Sequence, residues 1–135
     1  RKISRKLAVT VKQLNPVDMT FEFEPHFKRL KKNMIRTCRK LMKVETVEEA
    51  RLLFRELSRP MVEWASSSRP VGVVVLYCPV ANATWIQLHG PIMNPFYGKK
   101  LLSCGSVVGG GKSLEEALAE EEAANQALDK GVVKD

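Results

Sequence analysis

The sequence predicts an α+β fold: an antiparallel helical hairpin, then a small antiparallel sheet with a structured Gly/Pro loop, plus a C-terminal helix. Three observations predict it. Apolar residues recur every three or four positions in the first half of the chain, β-branched and alternating apolar segments follow, and an Ala/Glu-rich segment comes last. A chain of 135 residues, 44% of them hydrophobic, is long enough for one domain with a buried core.

The chain divides into three parts at the level of composition. Residues 1–23 are predicted to form an N-terminal arm or edge strand, because apolar residues alternate loosely around Leu7 and Val11. Residues 24–108 are predicted to form a single α+β domain. Residues 109–135 are predicted to be a glycine joint followed by a C-terminal helix or tail.

The first helix is predicted to begin at Glu24-Pro25, because proline at the first helical turn removes an N–H that has no partner there. Its apolar residues step by three or four and form one stripe: Phe27, Leu30, Met34, Cys38, Leu41 and Met42. The other sides carry the most basic segment of the chain: Lys28, Arg29, Lys31, Lys32, Arg36, Arg39, Lys40 and Lys43.

The second helix is predicted to begin at Thr46, which forms a capping-box pattern with Glu49. Pro60 lies inside its apolar pattern and is predicted to kink the helix or to separate a last short turn. Only about three residues join the two helices, which favours an antiparallel hairpin. The apolar face of this helix is Val47, Ala50, Leu53, Phe54, Leu57 and Met61.

The periodicity changes after a predicted loop at residues 66–70. Val71 to Tyr77 is a β-branched apolar run of strand length, and Ala83 to Leu88 alternates as a second strand that pairs with it. Residues 90–105 are rich in glycine and proline and predict a structured loop. Gly109 to Gly111 is predicted to be a flexible joint, followed by a helix to about Asp129 with a Ser113/Glu116 capping box.

The charge is unevenly distributed. The net charge is +7, yet residues 67–111 contain no Asp or Glu. No apolar run approaches the roughly 20 residues of a membrane-spanning helix. Residue 1 is Arg, so the chain is expected to be a fragment or processed form whose targeting segment is absent.

Common catalytic patterns are missing, and we predict that the protein is not an enzyme. Gly111-Lys112-Ser113 resembles a phosphate-binding loop, but the required earlier glycine is replaced by Ser106, so no nucleotide is expected. His26 and His89 have no consistent nucleophile, and the acid-free centre lacks a carboxylate for acid–base chemistry.

The chemistry-bearing residues are Cys78 and Cys104, each next to proline or glycine at the end of a predicted strand or turn. Met93 and His89 lie between them, and soft sulfur and imidazole ligands suit Cu(I) or Ag(I). These four residues are the candidate metal ligands. The alternative is a purely structural pair, either buried thiols or one disulfide that closes the loop.

The segments Cys-Pro-Val-Ala (78–81), Trp85, Asn-Pro-Phe-Tyr-Gly (94–98) and Leu-Leu-Ser-Cys-Gly (101–105) occur in a specific order. Together they resemble a small bacterial domain of unknown function that is exported alone or fused to periplasmic adaptor subunits of copper/silver-type heavy-metal efflux systems. Upstream Phe54, Leu57 and Ser58 match as well. The resemblance covers about residues 45–108.

The resemblance implies a periplasmic or exported protein that handles metal, with heavy-metal efflux components as partners. Two residues depart from the pattern, because Val80 and Leu101 stand where the family has methionine. Both departures remove a thioether sulfur from the implied site. Trp85, Asn94, Pro95 and Gly98 are interpreted as an aromatic plug and a turn that determine the fold.

We therefore expect a non-catalytic accessory domain that binds a soft metal ion through Cys78 and Cys104 or docks onto efflux components. The alternative is a basic interaction module. In that case the Lys28 to Lys43 helix would bind nucleic acid or an anionic membrane through its positive charges.

Overall fold

The computed structural model describes residues 24–131, so the predicted N-terminal arm, residues 1–23, lies outside the described residues. The elements follow one another as helices α1 (Glu24–Leu41) and α2 (Val47–Ser68), strands β1 (Val73–Cys78), β2 (Ala83–Leu88) and β3 (Ser106–Gly110), and helix α3 (Leu114–Gly131). A short 3₁₀ helix, Lys99–Leu101, lies between β2 and β3. The predicted α+β class, with its helical hairpin, sheet and C-terminal helix, is confirmed.

Helices α1 and α2 pack through the apolar stripes that the sequence predicts. Their contact buries a cluster of four side chains, Leu30, Met34, Cys38 and Leu57. The antiparallel direction is visible in two polar contacts, His26 with Glu63 and Lys40 with Glu56. Since α1 ends at Leu41, the basic residue Lys43 lies in the connection rather than in the helix.

Helix α2 begins at the predicted cap, where Thr46 Oγ1 accepts a hydrogen bond of 3.2 Å from the backbone N–H of Glu49. The helix continues through Pro60, so the prediction that a short turn separates there is wrong. Its end also lies beyond the predicted loop start. The hydroxyls of Ser67 and Ser68 donate to the carbonyls of the preceding turn, which lets the serines remain helical up to a left-handed Arg69.

The sheet has the order β2-β1-β3, with β1 in the centre and antiparallel to both neighbours. In the β1–β2 pair Val73 faces Leu88 and Cys78 faces Ala83. Because β1 is covered by strands on both sides and by side chains on its faces, nearly its whole apolar run is buried.

The glycine run belongs largely to the sheet, so the prediction of a flexible joint is wrong. Gly109 pairs with Val75 and Gly110 with Val74 in the β1–β3 ladder. The reason for glycine is close backbone approach: a Cβ at Gly110 would lie 2.5 Å from the carbonyl oxygen of Val73. The glycines therefore allow β3 to approach β1 closely and do not form a flexible joint.

Two buried clusters meet at one aromatic side chain. The sheet and its loop bury a second group, Val74, Leu76, Cys78, Ala81, Ala83, Trp85 and Phe96. Phe54, from α2, packs against both clusters, and its ring centroid lies 5.8 Å from that of Phe96. The hairpin and the sheet therefore share one continuous apolar interior through Phe54.

Helix α3 begins at the predicted capping box, in which Ser113 and Glu116 bond each other's backbone N–H groups. The hydrogen bond from the backbone of Ser113 lowers the pKa of the Glu116 carboxyl below its ordinary value. Leu114 and Leu118 remain mostly exposed. None of the helices within residues 24–131 is both long and apolar enough to cross a bilayer.

Candidate functional site

The two candidate thiols come together at one end of the sheet. Tyr77 pairs with Ser106, so the next residue of β1, Cys78, lies beside the segment that leads into β3 and carries Cys104. The two Sγ atoms are 2.7 Å apart. Cys78 is completely buried and Cys104 is partly exposed. The sheet register therefore makes a sulfur pair from residues 26 positions apart in the sequence.

Asn94 fixes the segment that contains Cys104. Its side-chain N–H donates to the carbonyl oxygen of Cys104 at 2.8 Å, and its Oδ1 accepts from the backbone N–H of Phe96 at the same distance. Its own backbone N–H donates to the carbonyl of Leu102 at 2.7 Å. Asn94 is only 2% exposed, so these bonds are sheltered from water. The predicted turn is thus held against the following segment at Leu102 and at Cys104.

Trp85 explains the glycine that follows Cys104. The indole is 2% exposed and stacks edge-on against Phe96, with ring centroids 6.0 Å apart. A Cβ at Gly105 would lie 2.6 Å from the Cη2 atom of Trp85. Gly105 also has a φ of +153°, which L side chains rarely adopt. Only glycine, which has no Cβ, lets the backbone pass the indole at this point, so that Cys104 lies next to Cys78.

The turn after Cys78 is fixed by hydrogen bonds from α2 and from the loop after β2, which the sequence does not predict. Arg55, on α2, donates from Nη1 to the carbonyl of Ala81 at 2.8 Å, and its guanidinium lies 5.3 Å from the ring centroid of Phe96. The hydroxyl of Tyr97 donates to the carbonyl of Val80. The sequence does not predict this role for Arg55, because nothing distinguishes it from the other cations on the two helices.

The two thiols differ in acidity. Burial opposes the charge of the Cys78 thiolate, but hydrogen bonds from Cys104, from the backbone of Ala81 and Val80 and from Asn94 outweigh it and lower the pKa of Cys78. The hydrogen bond to Cys78, followed by burial and by repulsion from the charge on Cys78, raises the pKa of Cys104.

His89 does not join the thiols and is removed from the proposed four-ligand set, whereas Met93 stays a predicted ligand. His89 follows β2 at the end where Leu88 pairs with Val73, about 17 Å along β1 from Cys78 at roughly 3.3 Å a residue. Its ring instead lies 3.3 Å from the carbonyl of Gly111. Met93 is 58% exposed.

The physical reason is the antiparallel register. A residue just after β2 must lie at the start of β1, whereas Cys78 is at its end. In the loop that follows, Ile92 and not Met93 packs against the buried cluster. Among residues 24–131 no group of three or more His, Cys, Asp or Glu side chains could hold a metal ion. The candidate ligands that the structure brings together are Cys78 Sγ and Cys104 Sγ.

Cys38 is separate from the pair and lies in the core of the helical hairpin. It is completely buried beside Met34 and Leu57, where a thiol packs as a small apolar group. Burial raises the pKa of Cys38. His26, on α1, is partly exposed and contacts Glu63.

The basic face of α1 is a second candidate site. A shallow groove of about 500 Å³ runs along it and is lined by five cations and one apolar residue: Lys28, Lys31, Lys32, Ile35, Arg36 and Arg39. These positions recur every three or four residues, so their charges lie on one side of the helix. The apolar stripe of the same helix is buried against α2.

Comparison with known proteins yields no matching family model, no matching curated protein and no matching solved structure.

Proposed function

We propose that this protein is a non-catalytic accessory domain of heavy-metal handling in the cell envelope, and that its reduced Cys78–Cys104 pair binds one soft monovalent ion, Cu(I) or Ag(I). The observation that carries the proposal is the 2.7 Å approach of two thiols from distant parts of the chain. Sulfur ligands select soft ions, and a monovalent ion accepts a low coordination number. The proposed partners are components of a heavy-metal efflux system.

Binding requires the sulfurs to move apart. An ion held at about 2.3 Å from each thiolate needs sulfurs roughly 4 Å apart, more than their present separation. Cys104 is the side chain that can move, because it is partly exposed whereas Cys78 is buried under the sheet. The backbone N–H of Val80 interacts with both sulfurs and would continue to stabilise their negative charge.

The acidity of the pair supports the same chemistry. The pKa of Cys78 is lowered, which favours formation of a thiolate at this site. The second proton leaves when the ion binds, and binding should therefore strengthen as pH rises through the thiol range. Residues 67–111 carry no carboxylate, which favours a binding role over acid–base catalysis.

Competition against a Cu(I) chelator tests the proposal on the reduced protein. We expect the parent to take one ion, and Cys78→Ser and Cys104→Ser to bind at least about 100-fold more weakly, because each keeps a single thiolate. Cys38→Ala is the matched control and should bind like the parent. Equal binding by all four proteins, or no binding by the reduced parent, would overturn the metal site.

Two further variants probe the surroundings of the pair. Val80→Met should tighten binding, because it restores the thioether of the similar family in the turn that follows Cys78, although the Val80 side chain is now 58% exposed. His89→Ala should leave binding unchanged, because His89 lies at the other end of β1. If His89→Ala lost Cu(I) binding, His89 would have to be counted as a ligand again.

A second candidate function rests on the groove of α1. Its five cations would bind the phosphate backbone of nucleic acid, which needs positive charge at regular spacing but no apolar contact. An amphipathic helix that binds a membrane needs an apolar face to insert, and the apolar stripe of α1 is already buried by α2. The groove therefore favours nucleic acid over an anionic bilayer.

Fluorescence anisotropy with a labelled DNA duplex tests the second candidate. Affinity should fall steeply with salt, and Arg36→Glu with Arg39→Glu should weaken it at least about tenfold, given the phosphate contacts they lose. Lys99→Glu with Lys100→Glu makes the same charge change on the 3₁₀ helix and should have little effect. Equal losses in both pairs, or binding to phosphatidylserine vesicles without binding to DNA, would contradict it.

A further inference from the structure

We infer that Cys78 and Cys104 form an intramolecular disulfide under oxidising conditions, and that this bond closes the sulfur site and locks the loop between β2 and β3. The inference shares its two thiols with the proposed metal site but does not depend on it. The carrying observation is again the 2.7 Å separation, which is closer to a sulfur–sulfur bond of about 2.05 Å than to a metal-bridged pair.

The backbone around the pair is already fixed in the arrangement that a disulfide needs. β1 and β3 are paired up to Tyr77 and Ser106, which brings the residues just beyond them into neighbouring positions. Asn94 holds the carbonyl of Cys104, and Gly105 passes against Trp85 with no room for a side chain. A small rotation of one side chain is enough to complete the bond, so no strand has to move.

The exposure of the two thiols gives the order of the steps. Cys104 is the accessible sulfur, and Cys78 is completely buried. Cys104 first gives up its proton to solvent, and its thiolate then attacks one sulfur of a small disulfide such as oxidised glutathione. The oxidant's S–S bond breaks, and one glutathione thiolate leaves.

Cys78 Sγ then attacks Cys104 Sγ, which breaks the mixed disulfide and releases the second glutathione thiolate. The protein loses two electrons and two thiol protons, and the oxidant gains both as two molecules of glutathione. Cys38 takes no part, because it is buried in the helical hairpin among Met34 and Leu57.

The bond would act on stability and on metal binding at once. It closes a loop that spans 26 positions and includes the whole of β2 and the Asn94 turn. Closing a loop of this size restricts the unfolded chain, and we expect the melting temperature to rise by roughly 10 °C or more. Since both sulfurs are consumed, the oxidised protein should lose Cu(I) uptake and recover it on reduction.

Intact-mass measurement on the full chain tests the inference without metal. The reduced protein is treated with oxidised glutathione, and the product should be lighter by two hydrogen atoms, with a peptide map that joins Cys78 to Cys104. Cys38→Ser should behave like the parent. Cys78→Ser should instead accumulate a stable glutathione adduct on Cys104, because the second thiol is missing.

Several results would overturn it. They are a lasting glutathione adduct on Cys104 in the parent, a cross-link that includes Cys38, or an oxidised form with no rise in melting temperature. The metal proposal is judged separately on the reduced protein. A chain that forms the disulfide but takes no Cu(I) when reduced would leave this inference standing and remove the metal site. A chain that takes Cu(I) when reduced but forms no disulfide would remove this inference and leave the metal site standing.

Discussion

The helical hairpin, residues 24–68, and the β/loop unit, residues 73–110, are held together in different ways. The hairpin depends on two apolar stripes, and a stripe can be satisfied by many side chains of similar size. The β/loop unit depends on individual residues: Asn94, which makes sheltered hydrogen bonds, and Gly105, which passes against an indole. The apolar periodicity of the sequence is therefore enough to form the helical hairpin, whereas the candidate site requires particular residues at particular positions.

The cysteines show the same contrast within one residue type. Cys38 has apolar neighbours, and burial alone raises its pKa. Cys78 is just as buried, yet hydrogen bonds from the second thiol, two backbone N–H groups and Asn94 lower its pKa. Burial does not decide whether a thiol is inert; the donors that point at its sulfur do.

Gly105→Ala should produce the largest loss of stability, about 4 kcal/mol, because it combines overpacking against Trp85 with an unfavourable φ. Gly90→Ala is the matched control, since Gly90 has a similar φ of +145° but nothing within 4 Å of its added Cβ. That variant should lose only about 1 kcal/mol. Urea unfolding measures both, and equal losses would mean that the contact with Trp85 does not matter.

Phe54→Ala should come next, at about 3 kcal/mol, because it removes the ring that links the two buried clusters. Leu52→Ala, on the same helix, should change the free energy of unfolding by less than about 0.5 kcal/mol, since Leu52 is 66% exposed. A loss below about 1 kcal/mol for Phe54→Ala would show that the hairpin and the β/loop unit are energetically separate.

Asn94→Ala should lose about 2 kcal/mol, because the carbonyl of Cys104 and the N–H of Phe96 are left without their partner. It should also raise the pKa of Cys78, since one hydrogen bond to that sulfur disappears. Asn33→Ala on α1 is the control for stability, because the Asn33 side-chain oxygen accepts only an exposed hydrogen bond, from Arg36. The ultraviolet absorbance of the thiolates, measured against pH, reads the pKa of the buried pair, and an unchanged profile would remove Asn94 from the site.

Cys38→Ala should have the smallest effect, about 1 kcal/mol, because it deletes one sulfur from a packed core. It should also change the alkaline limb of stability. Since the folded pKa is raised above its ordinary value of 9.0, the unfolded chain loses the Cys38 proton first, and stability falls as pH rises past 9.0. The variant should remove that part of the slope, at most about 1.4 kcal/mol per pH unit.

Much of the scaffold was predictable because its signals are local. The stripes of α1 and α2, the caps at Thr46 and Ser113, and the alternation of β2 each depend on residues within one or two turns of one another. Glycine misled the prediction at Gly109 and Gly110. A glycine run is equally compatible with freedom and with tight strand contact, and only the partner strand distinguishes them.

The candidate site was predictable in part. The sequence predicts one site for Cys78 and Cys104 but wrongly adds His89, which lies between them along the chain. Sequence position does not reveal which end of a strand pair a residue reaches. Arg55 has no sequence signal of its own, because it is one of many cations on the two helices and its contact with the carbonyl of Ala81 depends on how α2 packs against the sheet. Contacts between elements are set by register and packing rather than by composition.

The central place of β1 has a consequence for how the protein is made. During synthesis the hairpin, β1 and β2 all leave the ribosome before the third strand, so Cys78 is present for a time with no sulfur beside it. A chain that stops before residue 104 has an uncovered edge on its middle strand and an unpaired thiol at the end of that edge. The sulfur pair can therefore form only once the chain has been made as far as Cys104, and the strand that follows then covers the edge of β1.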